Sequence, residues 1–167
     1  MITVSPALPG DAAAVAALLE ELGRFYGAAR RITEAEVSDS LFTSPPAACA
    51  LLARDGTTVA GMAAYSFLWP AVGASRSLYL KELYVRGAYR GLGVGRLLMR
   101  AVFETAAARG CSRVEWTTDA GNAAARAFYA GLGLPAYPSK VFYRVQDEGA
   151  GLWPKSLLRV TWTMGGR

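Results

Sequence analysis

The sequence predicts an α/β (α+β) fold, with a mixed central sheet that carries helices on both faces. The first observation is the order of segments, which alternate between strand and helix spacing as β-α-α-β-β-β-α-β-α-β-β. The second is a content of 53% hydrophobic residues, which excludes a disordered chain. The third is a length of 167 residues without an internal repeat or linker, which suits a single domain over 1–167. The segment 148–167 is predicted as a C-terminal extension, in which Leu157–Trp162 either adds a strand or belongs to a mobile end.

The N-terminal part of the chain predicts one strand and two helices. Ile2–Ser5 has the spacing of a short strand, and Asp11 is placed to cap a helix that runs to about Tyr26. The apolar face of this helix consists of residues at helical spacing: Val15, Leu18, Leu19 and Leu22. Thr33–Glu36 has the pattern of a capping box and therefore opens a second helix, which Pro45 ends.

The middle of the chain predicts a β-hairpin and a further strand. Ala48–Arg54 and Thr58–Leu68 are joined by an Asp-Gly pair, which favours a tight hairpin turn. Trp69–Ser75 is predicted as a loop, and Ser77–Val85 is the fourth predicted strand. The run 56–75 carries no charge and is long enough to cross a bilayer, but its glycines, proline and polar side chains favour strand and loop. We therefore expect no membrane association.

The C-terminal part predicts two helices and three short strands. A helix from about Gly93 to Arg109 has apolar residues at helical spacing, with charged side chains facing away from them. Arg113–Thr118 predicts a strand and Ala123–Ala130 a helix. Two more strands are predicted near Ala136 and at Val141–Val145.

The composition narrows the chemistry that the chain can perform. Histidine is absent, which excludes histidine-based triads, the usual zinc ligand sets and an imidazole base. The two cysteines, Cys49 and Cys111, are far apart, so we expect no disulfide framework, no metal site and a reducing, cytoplasmic setting. The net charge of +5 suits a polyanion, which leaves nucleic acid or a phosphorylated cofactor.

A glycine-rich segment lies between the fourth predicted strand and the helix that follows it. Glycines let the backbone turn tightly and approach a ligand closely, and the free N–H groups at a helix start favour an anion. The segment contains three glycines and two flanking arginines: Arg90, Gly91, Gly93, Gly95 and Arg96. A dinucleotide fingerprint would need glycine at position 96, and an ATPase loop would need Gly-Lys-Ser/Thr, so both are excluded. The segment predicts a pyrophosphate-binding loop, with an ordinary turn as the alternative.

The spacing of this loop carries a resemblance. Arg90, Gly93 and Gly95 form the pattern Arg-x-x-Gly-x-Gly, and here the sequence resembles the GNAT superfamily of N-acetyltransferases. The strand Leu78–Val85 is similar to the family's fourth strand, and Arg86–Leu98 is similar to its acetyl-CoA motif.

A second motif extends the resemblance to most of the chain, about residues 2–145. Asn122, followed by Phe128–Tyr129, is similar to the family's second cofactor motif. Two further segments, Leu22–Tyr26 and Ala64–Phe67, are similar to the diamine acetyltransferases within the superfamily.

The resemblance implies an enzyme that moves an acetyl group from acetyl-CoA to a primary amine of a small molecule by direct attack. It implies that the cofactor pyrophosphate is held by the backbone of the loop residues: Arg90, Gly91, Leu92, Gly93, Val94, Gly95 and Arg96. The pantetheine arm would pair with the backbone of Leu83 and Val85, and an N–H near Leu83 or Tyr84 would polarise the thioester carbonyl. Asn122 and Phe128 would contact the arm.

Two residues are candidates for proton transfer. Tyr129 matches the tyrosine that the family uses to protonate the leaving thiolate, and a phenol has a suitable pKa of about 10. The alternative is that Phe128 and Tyr129 simply fill the core at a helix end. Glu82 is the candidate base, with an ion pair at a strand edge as the alternative. Lys81 and Glu82 cannot both face the substrate unless a bulge intervenes, because neighbouring strand residues point to opposite faces.

The acceptor is the least defined part of the site. Diamine acetyltransferases carry an acidic residue where this chain has Lys81, and a lysine there would repel a polycation, which argues against polyamine specificity. An amino acid, an aminoglycoside-like amine or a protein N-terminus remains open. The candidates for lining the acceptor pocket are Tyr26, Glu34, Tyr65, Trp69 and Lys81. We expect a homodimer and no nucleic-acid partner. An acyl-CoA sensor with little turnover and a protein N-terminal or lysine acetyltransferase are the alternative functions.

Overall fold

A computed structural model of the protein describes residues 1–28 and 30–144. Its central sheet is built of β1 (Ile2–Pro6), β2 (Cys49–Asp55), β3 (Thr58–Leu68), β4 (Arg76–Val85) and β5 (Cys111–Trp116). These strands lie side by side in chain order. The pairs from β1 to β4 are antiparallel, while β4 and β5 are parallel, so the sheet is mixed as predicted.

Helices cover both faces of the sheet. The α-helices of the described residues are α1 (Ala12–Phe25), α2 (Glu34–Leu41), α3 (Val94–Ala108) and α4 (Ala123–Ala130), and the first three pack on the sheet. One face packs against α1 and α2 through a cluster of buried residues: Ala12, Val15, Ala16, Leu18, Val37, Leu52, Val59 and Met62. On β2, Leu51 and Ala53 flank Leu52 and therefore face the other side, where α3 packs. The apolar stripe of α3 is buried there: Val94, Leu98, Met99, Val102 and Ala106.

The starts of α1 and α2 show how local polar contacts set helix boundaries. The Thr33 hydroxyl accepts a hydrogen bond from the Glu36 N–H, and the Glu36 carboxylate accepts one from the Thr33 N–H, as the capping box predicts. Asp11 occupies the N-cap position of α1 but does not cap it with its side chain. Its carboxylate instead accepts the Leu8 N–H at 2.8 Å and pairs with Arg54 at 2.7 Å. The prediction of a side-chain cap was therefore wrong, because the Leu8 N–H and the Arg54 guanidinium bind the Asp11 carboxylate instead.

The uncharged run 56–75 forms β3 and the loop after it, as predicted, with a short 3-10 turn at Val72–Ala74. Across the described stretches 1–28 and 30–144, no helix combines the length and the apolar character that crossing a bilayer requires.

The chain groups into two compact units, Met1–Ala127 and Phe128–Arg167. In the described part of the second unit, neither Ala136 nor the residues 141–144 form a strand, so these two predictions were wrong. Apolar residues alone do not form a strand unless they pack against neighbouring elements. The large side chains of this segment are exposed: Tyr137, Val141, Phe142 and Tyr143. Val145, Leu157–Trp162 and the whole extension 148–167 lie outside the described residues.

Candidate active site

The strands β4 and β5 part near the middle of β4. Their parallel pairing runs from Arg76 to Leu80, which lies opposite Trp116. On its other side, β4 continues to pair with β3 as far as Val85, which lies opposite Gly61. In the described part of the chain, the β5-facing edge of β4 beyond Leu80 is therefore left without a strand partner. A gap of this kind can accept an extended ligand that pairs like a strand.

The backbone directions of this edge follow from one hydrogen bond. The Arg86 N–H donates to the Ala60 carbonyl of β3 at 2.9 Å. The Val85 carbonyl belongs to the same trans peptide and so points away from β3, toward the gap. Because backbone groups alternate along a strand, those of Leu83 face the gap and those of Tyr84 face β3. Of the two N–H groups predicted to polarise a thioester, the geometry favours that of Leu83.

A β-bulge places two charged side chains on one face of β4. Leu80 lies opposite Tyr65 and Glu82 lies opposite Ala64, so Lys81 is an extra residue in the pairing. The Lys81 Nζ lies 3.7 Å from the Glu82 Oε1. The bulge therefore lets the side chains of Lys81 and Glu82 lie on the same face of the sheet, which a regular strand would not allow. Tyr84, two residues beyond Glu82, donates a hydrogen bond to Glu21 of α1, so this is the face that α1 covers.

The environment of Glu82 favours proton acceptance. Burial raises the pKa of the Glu82 carboxyl above its ordinary value, although the neighbouring Lys81 ammonium acts in the opposite direction. About a third of the Glu82 side chain is exposed, whereas Lys81 is mostly exposed. A carboxylate with a raised pKa takes a proton from an ammonium group more readily than an ordinary one. The two roles that the sequence left open for Glu82, an ion-pair partner and a general base, are therefore both compatible with the geometry.

The glycine-rich loop leads directly into α3. Gly91 and Gly93 have φ angles of 76° and 81°, a region that favours glycine, and Gly93 is the N-cap residue. A Cβ placed on either would meet no atom within 4 Å, so the space around the loop is open. No acidic side chain lies in the first turn of α3, and none caps it. The N–H groups of this turn are therefore available to an anion, which fits a pyrophosphate.

A polar network links α1 to the end of β4. Glu21 accepts hydrogen bonds from the Tyr84 hydroxyl at 3.3 Å and from Arg86, whose Nη2 lies 2.9 Å from it. Arg86 also donates to the Val59 carbonyl at 2.7 Å. Burial, reinforced by Glu21, raises the pKa of the Tyr84 phenol. Sequence reasoning missed Glu21 and the side chain of Arg86, because no local pattern signals a contact between residues 65 positions apart.

The residues of the second motif lie around α4. The Asn122 side chain accepts the Ala125 N–H at 3.0 Å and so stabilises the start of the helix. In the second unit, the rings of Phe128 and Tyr129 are half-buried and meet edge-on, with centroids 5.2 Å apart. The Tyr129 carbonyl accepts the N–H groups of Leu132 and Leu134, which close the turn after α4.

Among the acceptor candidates, Tyr65 lies on the wrong face. It follows Ala64, the partner of Glu82, and therefore points to the opposite side of the sheet. Its side chain is only 6% exposed and packs edge-on against Phe67. Burial raises the pKa of the Tyr65 phenol, as expected for a core residue. We therefore leave Tyr65 out of the acceptor site.

The other acceptor candidates lie at exposed positions. Tyr26 is the C-cap residue that follows α1, and Trp69 lies in the loop after β3, where its Nε1 donates to the Ala74 carbonyl at 2.9 Å. Glu34 begins α2 and lines a cleft of about 830 Å³ between the first two helices. Among the described residues, the walls of this cleft include neither Lys81 nor Glu82. The charged residues that line it are Glu20, Arg24, Arg30, Arg31 and Glu34.

Fold and site agree with a match to a known family. The sequence model that describes the acetyltransferase (GNAT) family matches residues 14–134 of this chain. The protein is thus classed with the acyltransferases. The chain belongs to the acetyltransferase (GNAT) family, which confirms the resemblance seen in the sequence.

Individual relatives agree with this assignment. The thialysine N-epsilon-acetyltransferase of Bos taurus is 27% identical over 142 residues, which cover 79% of this chain and 83% of that protein. The L-ornithine N5-acetyltransferase of Arabidopsis thaliana is 33% identical over 79 residues, which cover 47% of this chain. That match spans only 35% of the Arabidopsis protein.

Solved structures confirm the fold. An integron cassette protein from the mobile metagenome of V. cholerae matches with a TM-score of 0.78 and 26% identity, over 89% of this chain and 94% of that one. An aminoglycoside acetyltransferase from an uncultured soil metagenomic sample has a TM-score of 0.76 at 14% identity, over 87% and 95% of the two chains. At that identity the likeness shows the fold alone.

Proposed function

We propose that this protein is an acetyl-CoA-dependent N-acetyltransferase that acetylates a primary amine of a small molecule by direct attack. The observation that carries the proposal is the gap beside β4, which opens next to a glycine-rich helix start. The gap suits an extended arm, and the helix start suits a pyrophosphate. Acetyl-CoA joins these two parts in one molecule and supplies an activated acetyl thioester.

In this proposal the chain binds the donor mainly through its backbone. The N–H groups of the loop and of the first turn of α3 hold the pyrophosphate, and Arg96 adds positive charge. The backbone of Leu83 and the N–H of Val85 pair with the extended arm, and the Leu83 N–H donates to the thioester oxygen, where negative charge develops. Asn122 and Phe128 are assigned to the arm by their motif.

Glu82 is proposed as the base. An alkylammonium has a pKa of about 10, so it must lose a proton before its nitrogen can attack. The chain has no histidine, which leaves a carboxylate, directly or through a water molecule, as the acceptor of that proton. Glu82 has the burial and the raised pKa that this task requires.

Tyr129 is proposed to protonate the departing thiolate. We expect Tyr129→Phe to lower kcat by at least about tenfold, because the ring is retained and only the proton donor is lost. The Kd for acetyl-CoA, measured by calorimetry, should stay near the wild-type value. The matched variant is Tyr137→Phe, which removes a hydroxyl from a mostly exposed tyrosine of the same unit. Equal turnover by Tyr129→Phe and the wild type would remove Tyr129 from the mechanism.

The acceptor is proposed to carry a carboxylate besides its amine. The relatives named for ornithine and thialysine modify side-chain amines of amino acids, and this supports an acceptor of the same kind. Lys81 supports it independently, because a mostly exposed ammonium beside Glu82 repels a polycation and attracts a carboxylate.

Lysine and 1,5-diaminopentane differ only in the carboxylate, so they test the role of Lys81. We expect Lys81→Glu to lower the ratio of kcat/KM for lysine to that for the diamine by about tenfold, since reversing an exposed charge changes a close interaction by about 1 to 2 kcal/mol. Arg100→Glu makes the same charge change at an exposed site on α3 and should leave the ratio unchanged. A ratio that is equal in Lys81→Glu and the wild type would reject this role.

The proposed function as a whole is tested by measuring thiol release from acetyl-CoA. The acceptors are amino acids with side-chain amines, diamines, aminoglycosides and peptides with a free N-terminus. Release that depends on a small amine is the expected result. Binding of acetyl-CoA without turnover on any acceptor would favour a sensor, and turnover on peptides alone would favour a protein acetyltransferase.

A further inference from the structure

The side chain of Arg90 is held by three contacts. Its Nε donates a hydrogen bond to the Val85 carbonyl at 3.0 Å. Its guanidinium carbon lies 5.9 Å from the ring centroid of Phe25 and 5.9 Å from that of Tyr84. Both distances are within the range of cation–π attraction. One side chain of the glycine-rich loop is therefore attached both to β4 and to the C-terminal end of α1.

A second attachment joins α1 to the segment that leads from β4 into the loop. Arg86 is the first residue after β4, and it is bound by Glu21 of α1. Arg90 contacts Phe25, which follows Glu21 by four positions and so lies on the same face of the helix. The helix thus holds both ends of the segment 86–90, which precedes the glycines of the loop.

We infer that Arg90 is a positioning residue that holds the glycine-rich loop against Phe25, in addition to any charge contact with a phosphate. The inference rests on the proposed function for its effect on acetyl-CoA. Tyr26, an acceptor candidate, directly follows Phe25. Arg90 therefore connects the loop that would hold the donor with the helix end that carries an acceptor candidate.

A purely electrostatic role and a positioning role give different results when Phe25 is changed. If Arg90 served only as a positive charge, Phe25→Leu would leave the affinity for acetyl-CoA unchanged. If Arg90 acts through Phe25, Phe25→Leu should weaken the Kd for acetyl-CoA by about fivefold, the size of an exposed cation–π contact, and Arg90→Gln should weaken it by at least as much. The double variant should then lose no more than Arg90→Gln alone, short of the product of the two losses that independent sites would give.

The experiment combines calorimetry with hydrogen exchange. Calorimetry gives the Kd of acetyl-CoA for the wild type, the two single variants and the double variant. Hydrogen exchange of the backbone of residues 86–93, in protein without acetyl-CoA, should be faster in both single variants, because the loop has lost its attachment to α1.

A matched pair elsewhere in the protein supplies the control. Arg109 lies over the ring of Phe67 at 5.5 Å, at the end of α3 opposite to the loop. Arg109→Gln and Phe67→Leu should change neither the Kd nor the exchange of residues 86–93. The inference is overturned if Phe25→Leu matches the wild type in both measurements, or if the losses in the double variant multiply. If the wild type does not bind acetyl-CoA, the proposed function fails, while the exchange measurement still tests the contact between the loop and α1.

Discussion

Gly93→Glu is expected to abolish the binding of acetyl-CoA. Gly93 has a φ of 81°, in a region where a side chain is strained by about 1 to 2 kcal/mol. The new carboxylate would also lie at the start of α3 and compete with the pyrophosphate for the same N–H groups. Together these effects should weaken the Kd, measured by calorimetry, by more than about a hundredfold.

A second glycine separates the strain from the ligand effect. Gly110 follows the other end of α3, has a φ of 65° and is likewise surrounded by open space. Gly110→Glu therefore introduces a similar strain and the same charge away from the loop, and it should keep the affinity of the wild type. Near-normal binding of acetyl-CoA by a folded Gly93→Glu variant would show that the loop does not bind the pyrophosphate.

Glu82→Gln is expected to lower kcat by about 10²- to 10⁴-fold, the usual contribution of a general base. The amide keeps the size of the carboxylate, so the Kd for acetyl-CoA should stay near that of the wild type. Glu115→Gln is the matched variant, because Glu115 is also a strand carboxylate in an ion pair, with Arg113 at 2.9 Å. Comparable turnover by the two variants would show that Glu82 serves only as an ion-pair partner.

The pH dependence of the reaction gives an independent test of the same role. A base must be deprotonated, so kcat/KM should fall as the pH drops through the pKa of Glu82. Burial raises that pKa, which places the acidic limb of the profile above the range of an ordinary glutamate. Lys81 lowers the pKa of Glu82, so Lys81→Met should move the limb to higher pH. A limb that stays in place in Lys81→Met would argue against Glu82 as the titrating group.

The elements that could be predicted from the sequence are those with signals confined to a few residues. The capping box at Thr33 and Glu36 correctly places the start of α2, and the Asp-Gly pair correctly places the hairpin of β2 and β3. The strand β5 is different: it was predicted over Arg113–Thr118 and is found over Cys111–Trp116. Its limits depend on where it pairs with β4, which is not encoded in its own residues.

The candidate site likewise has features that the local sequence predicts and features that depend on the pairing of strands. The glycines of the loop carry their conformational preference wherever they occur, so the sequence alone indicated a tight turn at Gly91 and Gly93. The shared face of Lys81 and Glu82 results from the register between two strands, and the same register places Tyr65 on the face opposite to Glu82. Pairing register depends on a second strand, so no pattern within β4 could have revealed the bulge.

The extra residue at Lys81 also has a genetic consequence. In an unbroken strand, two neighbouring side chains on the same face are specified by codons separated by a third. The bulge makes them neighbours, so adjacent codons specify one electrostatic unit. A single nucleotide exchange converts a lysine codon into a glutamate codon, and at position 81 it would replace a mixed pair by two acids. One mutational step would therefore reverse the charge beside Glu82 and leave the core and the glycine-rich loop untouched.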